Sequence, residues 1–121
     1  MEPGRRWNRG IMEKDLLENM ILELRRGTLL LSVLSQLKEP KYGYSLVQSL
    51  EEKGVSIDPN TLYPLLRRLE KQGLLTSEWE TSESKPRKYY KRTDFGDAIY
   101  LKLREQWRTM TLSMEAMLGE E

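Results

Sequence analysis

The segment at residues 58–71 constrains the fold of this chain more than any other. Asp58 and Pro59 are an N-cap residue followed by a proline at the first helical position, so a helix is predicted to begin there. Its leucines recur at i, i+3, i+4 and i+7, which places them on one inward-facing stripe. These leucines are Leu62, Leu65, Leu66 and Leu69. Pro64 lies early in the helix and predicts a slightly irregular first turn.

The opposite side of this helix is polar and basic, and it is followed at once by a predicted β-hairpin. The polar side carries Asn60, Pro64, Arg67 and Lys71, with Tyr63 and Arg68 on its flanks. Gly73 ends the helix. Leu74–Trp79 and Arg87–Thr93 are β-prone runs that flank a charged, Ser-rich tip, so they predict a hairpin with a mobile end. Tyr89 is expected to pack inward and its neighbour Tyr90 to face outward.

Shorter helices are predicted before this segment. Residues 1–10 have no periodicity and predict a flexible leader. Residues 12–26 form an amphipathic pattern that Gly27 is expected to end, with Thr28 capping a second, almost wholly apolar helix. A turn at Lys38–Gly43 precedes a helix with Leu46, Val47 and Leu50 on one face, and the β-prone residues 55–58 lead into the basic helix.

The last segment predicts a long helix from Asp94 to about Leu118, with Thr93 as its N-cap. Its apolar residues step by 4, 4, 3, 4 and 3, which is coiled-coil spacing. They are Ile99, Leu103, Trp107, Met110, Met114 and Met117. Such a helix is about 37 Å long, whereas a compact chain of this size has a radius of gyration of about 14 Å. Its apolar seam therefore predicts a partner helix.

Composition excludes several classes of protein. The 121 residues include no Cys and no His, which excludes thiolate and imidazole metal sites, disulfides and triads that need His. No catalytic residues, metal site or cofactor are therefore predicted. Asp, Glu, Lys, Tyr and Ser show no diagnostic pairing and no phosphate-binding loop occurs, so an enzyme is not expected. The sequence also lacks a membrane-length apolar run and a secretory signal, so a cytoplasmic location is expected.

Charge is segregated along the chain although its net value is only +1. Residues 61–93 carry eight basic and four acidic residues, a balance of +4, while residues 94–121 carry three basic and six acidic, a balance of −3. Such segregation predicts two surfaces with different tasks.

Together the elements predict a mostly α fold with a small β component, in the order of a winged helix-turn-helix. In that arrangement the third helix enters the major groove of DNA and the hairpin, or wing, contacts the backbone or minor groove. Candidate DNA-binding residues are Tyr44, Asn60, Thr61, Tyr63, Arg67, Arg68, Lys71, Lys85, Arg87, Lys88 and Tyr90. For Tyr44, Tyr63 and Tyr90 the alternative is a core tyrosine with a satisfied hydroxyl.

A set of motifs in the same region resembles the PadR family of bacterial transcriptional regulators. They are Tyr42-Gly43-Tyr44-Ser45-Leu46, Thr61-Leu62-Tyr63-Pro64-Leu65-Leu66-Arg67-Arg68-Leu69-Glu70, Gly73-Leu74, Trp79, Arg87-Lys88-Tyr89-Tyr90, Thr93 and Gly96. The resemblance runs from about Arg26 to Gly96 and more loosely to the end. One departure is Lys91-Arg92-Thr93, where the family often has a basic residue followed by Leu-Thr.

The resemblance implies a homodimeric repressor that binds double-stranded DNA and dimerises through its first and last helices. The domains expected are a leader at 1–10, a DNA-binding winged helix at 11–93 and a dimerisation helix at 94–121. Dimer-interface candidates are Leu16, Met20, Leu24, Ile99, Leu103, Trp107, Met110, Met114 and Met117.

The single C-terminal helix is similar to that of the small PadR subfamily, which includes multidrug-responsive members. In the best-known member of that group, a tryptophan of the last helix lines a flat pore at the dimer centre and stacks on planar drugs. Trp107 occupies the matching position, which implies a small aromatic or hydrophobic ligand there; a plain dimer-core residue is the alternative. A second alternative for the whole chain is a winged-helix module that binds proteins without specific DNA binding.

Overall fold

The structure is a computed structural model that describes residues 3–82 and 84–120, with side chains described from Arg9 onward. The chain divides into two units, one that ends at Leu30 and one that runs from Leu31.

Helix α1 spans Pro3–Ser35. Its residues up to Leu30 form the first unit, and its last residues belong to the second unit. The prediction that Gly27 ends a helix and Thr28 caps the next is wrong. The helix is continuous because Gly27 keeps a negative φ, and a helical glycine costs only about 1 kcal/mol. The hydroxyl of Thr28 donates to the carbonyl of Arg25 instead, at 2.9 Å.

Residues 3–10 are also helical, whereas the sequence predicted a flexible leader at 1–10. Pro3 stands at the helix start, where its missing N–H is not needed. Met1 and Glu2 lie outside the described residues.

The second unit contains a three-stranded antiparallel sheet and three further helices. Its elements are β1 (Lys41–Tyr42), α2 (Gly43–Glu52), α3 (Pro59–Lys71), β2 (Leu75–Glu80), β3 (Arg87–Arg92) and α4 (Asp94–Leu118). The strand order is β1-β3-β2, with Tyr42 opposite Tyr89 and Glu80 opposite Arg87. The predicted order of helices and the hairpin is confirmed. Strand β1, however, lies in the predicted turn, and the β-prone residues 55–58 form no strand.

The core of this unit is almost entirely leucine. The side chains with less than 2% exposure are Val33, Leu34, Leu37, Leu46, Leu50, Leu62, Leu66, Leu69 and Leu75. The stripe on α3 is confirmed, with Leu65 half-buried at its edge. Burying each leucine contributes about 1.5–3 kcal/mol, so α3 is held by its apolar side and its other side is left to solvent.

Both predicted N-caps of the second unit are confirmed. The Asp58 carboxylate accepts the N–H of Asn60 at 2.7 Å at the start of α3. At the start of α4, the Thr93 hydroxyl accepts the N–H of Gly96 at 2.9 Å and donates to the carbonyl of Gly73 at 2.6 Å. Gly73 has a φ of 81°, which only glycine adopts readily, so it fixes the turn between α3 and β2.

Helix α4 leaves the core soon after it begins. Gly96 is buried, and a Cβ there would overlap the carbonyl oxygen of Leu74. Arg92 also holds this end, since its guanidinium donates to the carbonyl of Leu34 and to Asp97, at 2.8 Å each, and lies 4.2 Å from the Tyr100 ring centroid. No helix in the described part of the chain is long and apolar enough to cross a membrane.

Candidate nucleic-acid interface

The outer side of α3 carries the polar and basic side chains that the sequence predicted. Asn60, Thr61, Arg67, Arg68 and Lys71 are all exposed, and Tyr63 is 39% exposed. Because the leucine stripe fixes the rotation of α3, these side chains all point away from the core. The structure therefore brings six of the predicted DNA-binding residues together on one helix.

The start of α2 lies directly against α3. A Cβ on Gly43 would lie 2.5 Å from the Tyr63 hydroxyl, so only glycine allows the Tyr63 ring to pack there. The next residue, Tyr44, is 70% exposed. This close packing places Tyr44 beside the basic side of α3, where it lines the same cavity as Arg67.

The wing is tied to the start of α2 by a pair of tyrosines. The Tyr42 and Tyr89 rings stack with centroids 3.9 Å apart, and the Tyr89 hydroxyl donates to the Tyr42 hydroxyl. The Arg87 guanidinium lies 5.0 Å from the centroid of the Tyr42 ring. The short strand β1 thus holds the wing and its Arg87 next to the helices.

Tyr90, and not Tyr89, is the buried residue of the pair, which is the opposite of the prediction. Tyr90 is 4% exposed, and Tyr89 is half-buried on the other face of β3. Successive residues of a strand face opposite sides, and the pairing of β3 with both neighbours decides which face is covered. The burial of Tyr90 therefore favours the alternative of a core tyrosine over a DNA contact.

Lys88 is not a free cation either, although the sequence predicted it to contact DNA. Its ammonium lies 3.7 Å from the Glu70 carboxylate, and 5.7 Å and 5.4 Å from the ring centroids of Trp79 and Tyr90. Glu70 also accepts a hydrogen bond from the Ser77 hydroxyl. One carboxylate at the end of α3 therefore holds both strands of the wing.

A local hydrogen bond holds the turn that follows strand β2. The N–H of Ser82 donates to the Glu80 carboxylate at 2.8 Å. Hydrogen bonds from the Ser82 side chain and backbone hold the pKa of Glu80 below its ordinary value. Lys85 and Arg87 lie beyond this turn and are both exposed.

A cavity of about 910 Å³ lies between α3, the start of α2 and the wing. The described residues that line it include seven of the predicted DNA-binding set: Tyr44, Tyr63, Arg67, Lys85, Arg87, Lys88 and Tyr90. Tyr42, Trp79 and Tyr90 add aromatic walls. The roles of Tyr42 and Glu70 were missed from the sequence, since both depend on long-range contacts. Their positions inside the quoted motifs were the only available signal.

The predicted dimer residues form two exposed apolar faces. On α1, Leu16, Met20 and Leu24 are 55%, 56% and 75% exposed. On α4, Ile99 and Leu103 are half-buried near the core. Farther along α4, Trp107, Met110, Met114 and Met117 are 43%, 59%, 47% and 56% exposed. Neither face is covered within its own unit.

Among the described residues, no group of three or more acidic side chains could hold a metal ion. The surface itself presents hydrogen-bond donors, cations and aromatic rings, which are side chains suited to DNA phosphates and base edges.

Comparison with known proteins agrees with this fold. Residues 30–102 match the model of the transcriptional regulator PadR-like family. The chain is 36% identical over 98 residues to the transcriptional regulator Rv3488 of Mycobacterium tuberculosis, covering 80% of this chain and 89% of that protein.

Solved structures of the same family are also similar. The crystal structure of a PadR family transcriptional regulator from Eggerthella lenta is 50% identical, with a TM-score of 0.85, and the match covers 92% of this chain and 99% of that one. A PadR-like transcriptional regulator from Bacillus cereus is 27% identical, with a TM-score of 0.73 and coverage of 82% and 99%.

These matches and the fold define a winged-helix, DNA-binding regulator and not an enzyme. The chain belongs to the PadR-like family of transcriptional regulators.

Proposed function

We propose that this protein is a cytoplasmic homodimeric repressor that binds a pseudo-palindromic operator through two copies of α3. The observation that carries the proposal is the outer side of α3, where Asn60, Thr61 and Tyr63 lie near the helix start and Arg67 and Lys71 follow. Residues at the start of a reading helix reach base edges, while cations farther along follow the phosphates. In a two-fold dimer, the reading helices fit half-sites about one helical turn apart.

The exposed apolar faces support the homodimer. Four large side chains of the α4 seam are between 43% and 59% exposed, which is costly for a helix that stays alone in water. A second copy brings an identical seam with matching spacing, and two-fold symmetry lets each seam cover the other. The face of α1 that carries Leu16, Met20 and Leu24 is covered in the same dimer.

Fluorescence anisotropy tests the regulator function directly. Purified protein is titrated against labelled DNA from upstream of its own gene and against a scrambled duplex, at physiological salt. We expect a preference of about a thousandfold for the upstream DNA. Equal, weak and salt-sensitive binding to both duplexes contradicts an operator in that DNA and favours the protein-interaction module.

Variants of the basic surface distinguish a DNA-binding regulator from a protein-interaction module. Arg67→Gln is expected to weaken operator binding about tenfold and to reduce the slope of log affinity against log salt concentration by about 1. Lys53→Gln is the matched control, because Lys53 is an exposed cation at the other end of α2. If Arg67, Lys71 and Arg87 are all dispensable for DNA binding, the interaction module becomes the better explanation.

Release by a planar aromatic ligand at the dimer centre is the second part of the proposal. Trp107 lies in the seam and is 43% exposed, so in the proposed dimer the tryptophans of both copies face the interface. A ligand that stacks there releases DNA only if it binds better to a dimer whose reading helices no longer fit the operator. Binding of proflavine, a flat cationic dye, is expected to weaken at least tenfold in Trp107→Ala. Unchanged affinity excludes Trp107 from the site.

A further inference from the structure

Arg92, the last residue of β3, is a cation whose side chain is only 8% exposed. Charged side chains are rarely buried unless they are paired. The PadR family often has leucine at this position, and a leucine could make no polar contact there. The charge of Arg92 is therefore explained by the groups that it contacts.

The Arg92 side chain joins three elements. Its Nη1 donates to the carbonyl of Leu34 and its Nε donates to the Asp97 carboxylate, at 2.8 Å each. The guanidinium also lies 4.2 Å from the centroid of the Tyr100 ring. In addition, the backbone N–H of Arg92 donates to the carbonyl of Leu37 at 3.0 Å. One residue thus connects the base of the wing with the end of α1 and the first two turns of α4.

Arginine is well suited to this position. The carbonyls in the last turn of a helix carry the negative end of its dipole, and the described last turn of α1 has no basic side chain of its own. A planar guanidinium donates in several fixed directions, so it can bond Leu34 and Asp97 at the same time. Hydrogen bonds are directional and apolar contacts are not, so Arg92 fixes how these elements are oriented.

Few other contacts fix the direction in which α4 leaves the core. Of the residues of α4, which are all described, only Gly96 is buried, and Ile99 and Leu103 are half-buried. Gly96 fixes the position of the first turn, and the Arg92 contact with Tyr100 lies one turn farther along. A helix of 25 residues is about 37 Å long, so a tilt of about 10° at its start moves its far end by about 6 Å.

We propose that Arg92 is a positioning residue that determines which spacing of operator half-sites this protein accepts. The inference rests on the proposed function, in which the far part of α4 forms the dimer seam and α3 reads DNA. Because Arg92 joins the base of the wing to the start of α4, it sets the distance and angle between the two copies of α3. One added base pair moves two half-sites apart by about 3.4 Å and rotates them by about 34°, so a 10° tilt corresponds to about two base pairs of displacement.

Distances between spin labels test the anchoring of α4 without DNA. The chain has no native Cys, so labels attach only to introduced ones. One label is attached at Ala116→Cys near the end of α4, and the other at Glu52→Cys on α2 or at Gln72→Cys after α3. All three residues are exposed. Dilution with unlabelled protein isolates the distance within one chain.

Arg92→Leu removes the polar contacts and keeps an apolar side chain in the core. We expect the width of both distance distributions to at least double. Lys91→Leu is the matched control, because it removes the same charge from an exposed residue of the same strand, and it should leave the distances unchanged. Equal broadening in both variants, or none in Arg92→Leu, would overturn the proposal.

Asp97→Ala tests the same contacts from the α4 side, at a side chain that is 54% exposed and not needed for the core. Asp94→Ala removes the same charge from the same first turn of α4 and is its control. We expect broader distances in Asp97→Ala, by less than in Arg92→Leu because the contact with Leu34 remains, and no change in Asp94→Ala. Thermal unfolding checks that each variant folds. If Arg92→Leu does not fold, unchanged distances in Asp97→Ala refute the anchoring by themselves.

Duplexes with altered half-site spacing test the effect on DNA recognition. They carry no, one or two extra base pairs at the centre of the upstream DNA that the wild-type protein binds, and unlabelled protein is titrated by fluorescence anisotropy. We expect the wild-type protein and Lys91→Leu to prefer the natural spacing at least tenfold over two added base pairs. Arg92→Leu should reduce this ratio at least threefold. The ratio is informative because a change in general charge attraction affects all three duplexes alike.

The two measurements separate this proposal from the proposed function. Broader distances with an unchanged spacing ratio would limit Arg92 to anchoring α4 and overturn its role in spacing. A wild-type protein that binds no DNA specifically would refute the proposed function, while the label distances would still decide whether Arg92 positions α4. Sedimentation equilibrium gives the oligomeric state of each variant, and a monomeric Arg92→Leu protein would overturn the proposal in favour of a role in dimer formation.

Discussion

Helices α3 and α4 carry apolar stripes with nearly the same spacing, but only one stripe is covered within the chain. On α3, Leu62, Leu66 and Leu69 are fully buried. On α4, Met110, Met114 and Met117 are 59%, 47% and 56% exposed. The spacing of apolar residues in the sequence thus shows that a helix has an apolar side. It does not show whether the surface that covers this side belongs to the same chain.

Because of this difference, the two apolar stripes contribute to stability in different ways. The stripe of α3 contributes to folding of a single copy, and its burial is independent of protein concentration. The seam of α4 contributes only when another surface covers it, so in the proposed dimer its contribution depends on concentration. The following variants test this contrast, from the largest expected effect to the smallest.

Leu66→Ala should give the largest loss of stability, because it leaves a cavity in the core beneath α3. We expect the free energy of unfolding to fall by about 2–5 kcal/mol, measured by urea denaturation. Leu112→Ala is the same substitution on the side of α4 opposite its seam, at a leucine that is 73% exposed, and should cost less than about 0.5 kcal/mol. Similar losses in both variants would show that burial of Leu66 does not stabilise the chain.

Gly96→Ala tests the close contact between the start of α4 and the core. The added Cβ overlaps the Leu74 carbonyl, so we expect a loss of about 1–3 kcal/mol in urea denaturation. Gly27→Ala is the same substitution in α1, where no atom lies within 4 Å of the added Cβ. It should stabilise the helix by up to about 1 kcal/mol. A stable Gly96→Ala protein would show that α4 is not anchored at this residue.

Met114→Glu tests the α4 seam without changing the core. A charge within the proposed interface should weaken dimerisation at least tenfold, or about 1.4 kcal/mol, measured by sedimentation equilibrium. Leu101→Glu places the same charge on the opposite side of α4, at a residue that is 51% exposed, and should change dimerisation little. If only Leu101→Glu dissociates the dimer, the interface lies on the other side of the helix.

Asp58→Ala should have the smallest effect, because it removes one N-cap hydrogen bond at the start of α3. The expected cost is about 1 kcal/mol by thermal or urea unfolding. Asp58→Asn keeps an acceptor and should recover most of this loss. A full loss in the Asn variant would show that the charge, and not the hydrogen bond, stabilises the helix.

Features with a local physical cause could be predicted from the sequence. The Asp58 and Thr93 caps, the leucine stripe of α3, the hairpin and the extent of α4 follow from side chains a few residues apart. The exposed basic side of α3 followed as well, because a helix that buries one side must present the other.

Features that depend on contacts between residues far apart in the sequence could not be predicted from it. Strand β1 exists because Tyr42 meets Tyr89, and the inward face of β3 depends on pairing that a shift of one residue would reverse. The contact of Glu70 with Lys88 and the cavity beside it depend in the same way on how the wing lies against α3. The sequence by itself determined which sides of the helices are apolar or basic, because that requires only the helical period. The tertiary structure alone decided which strand residues are buried and which cations remain unpaired, because both depend on neighbours far along the chain.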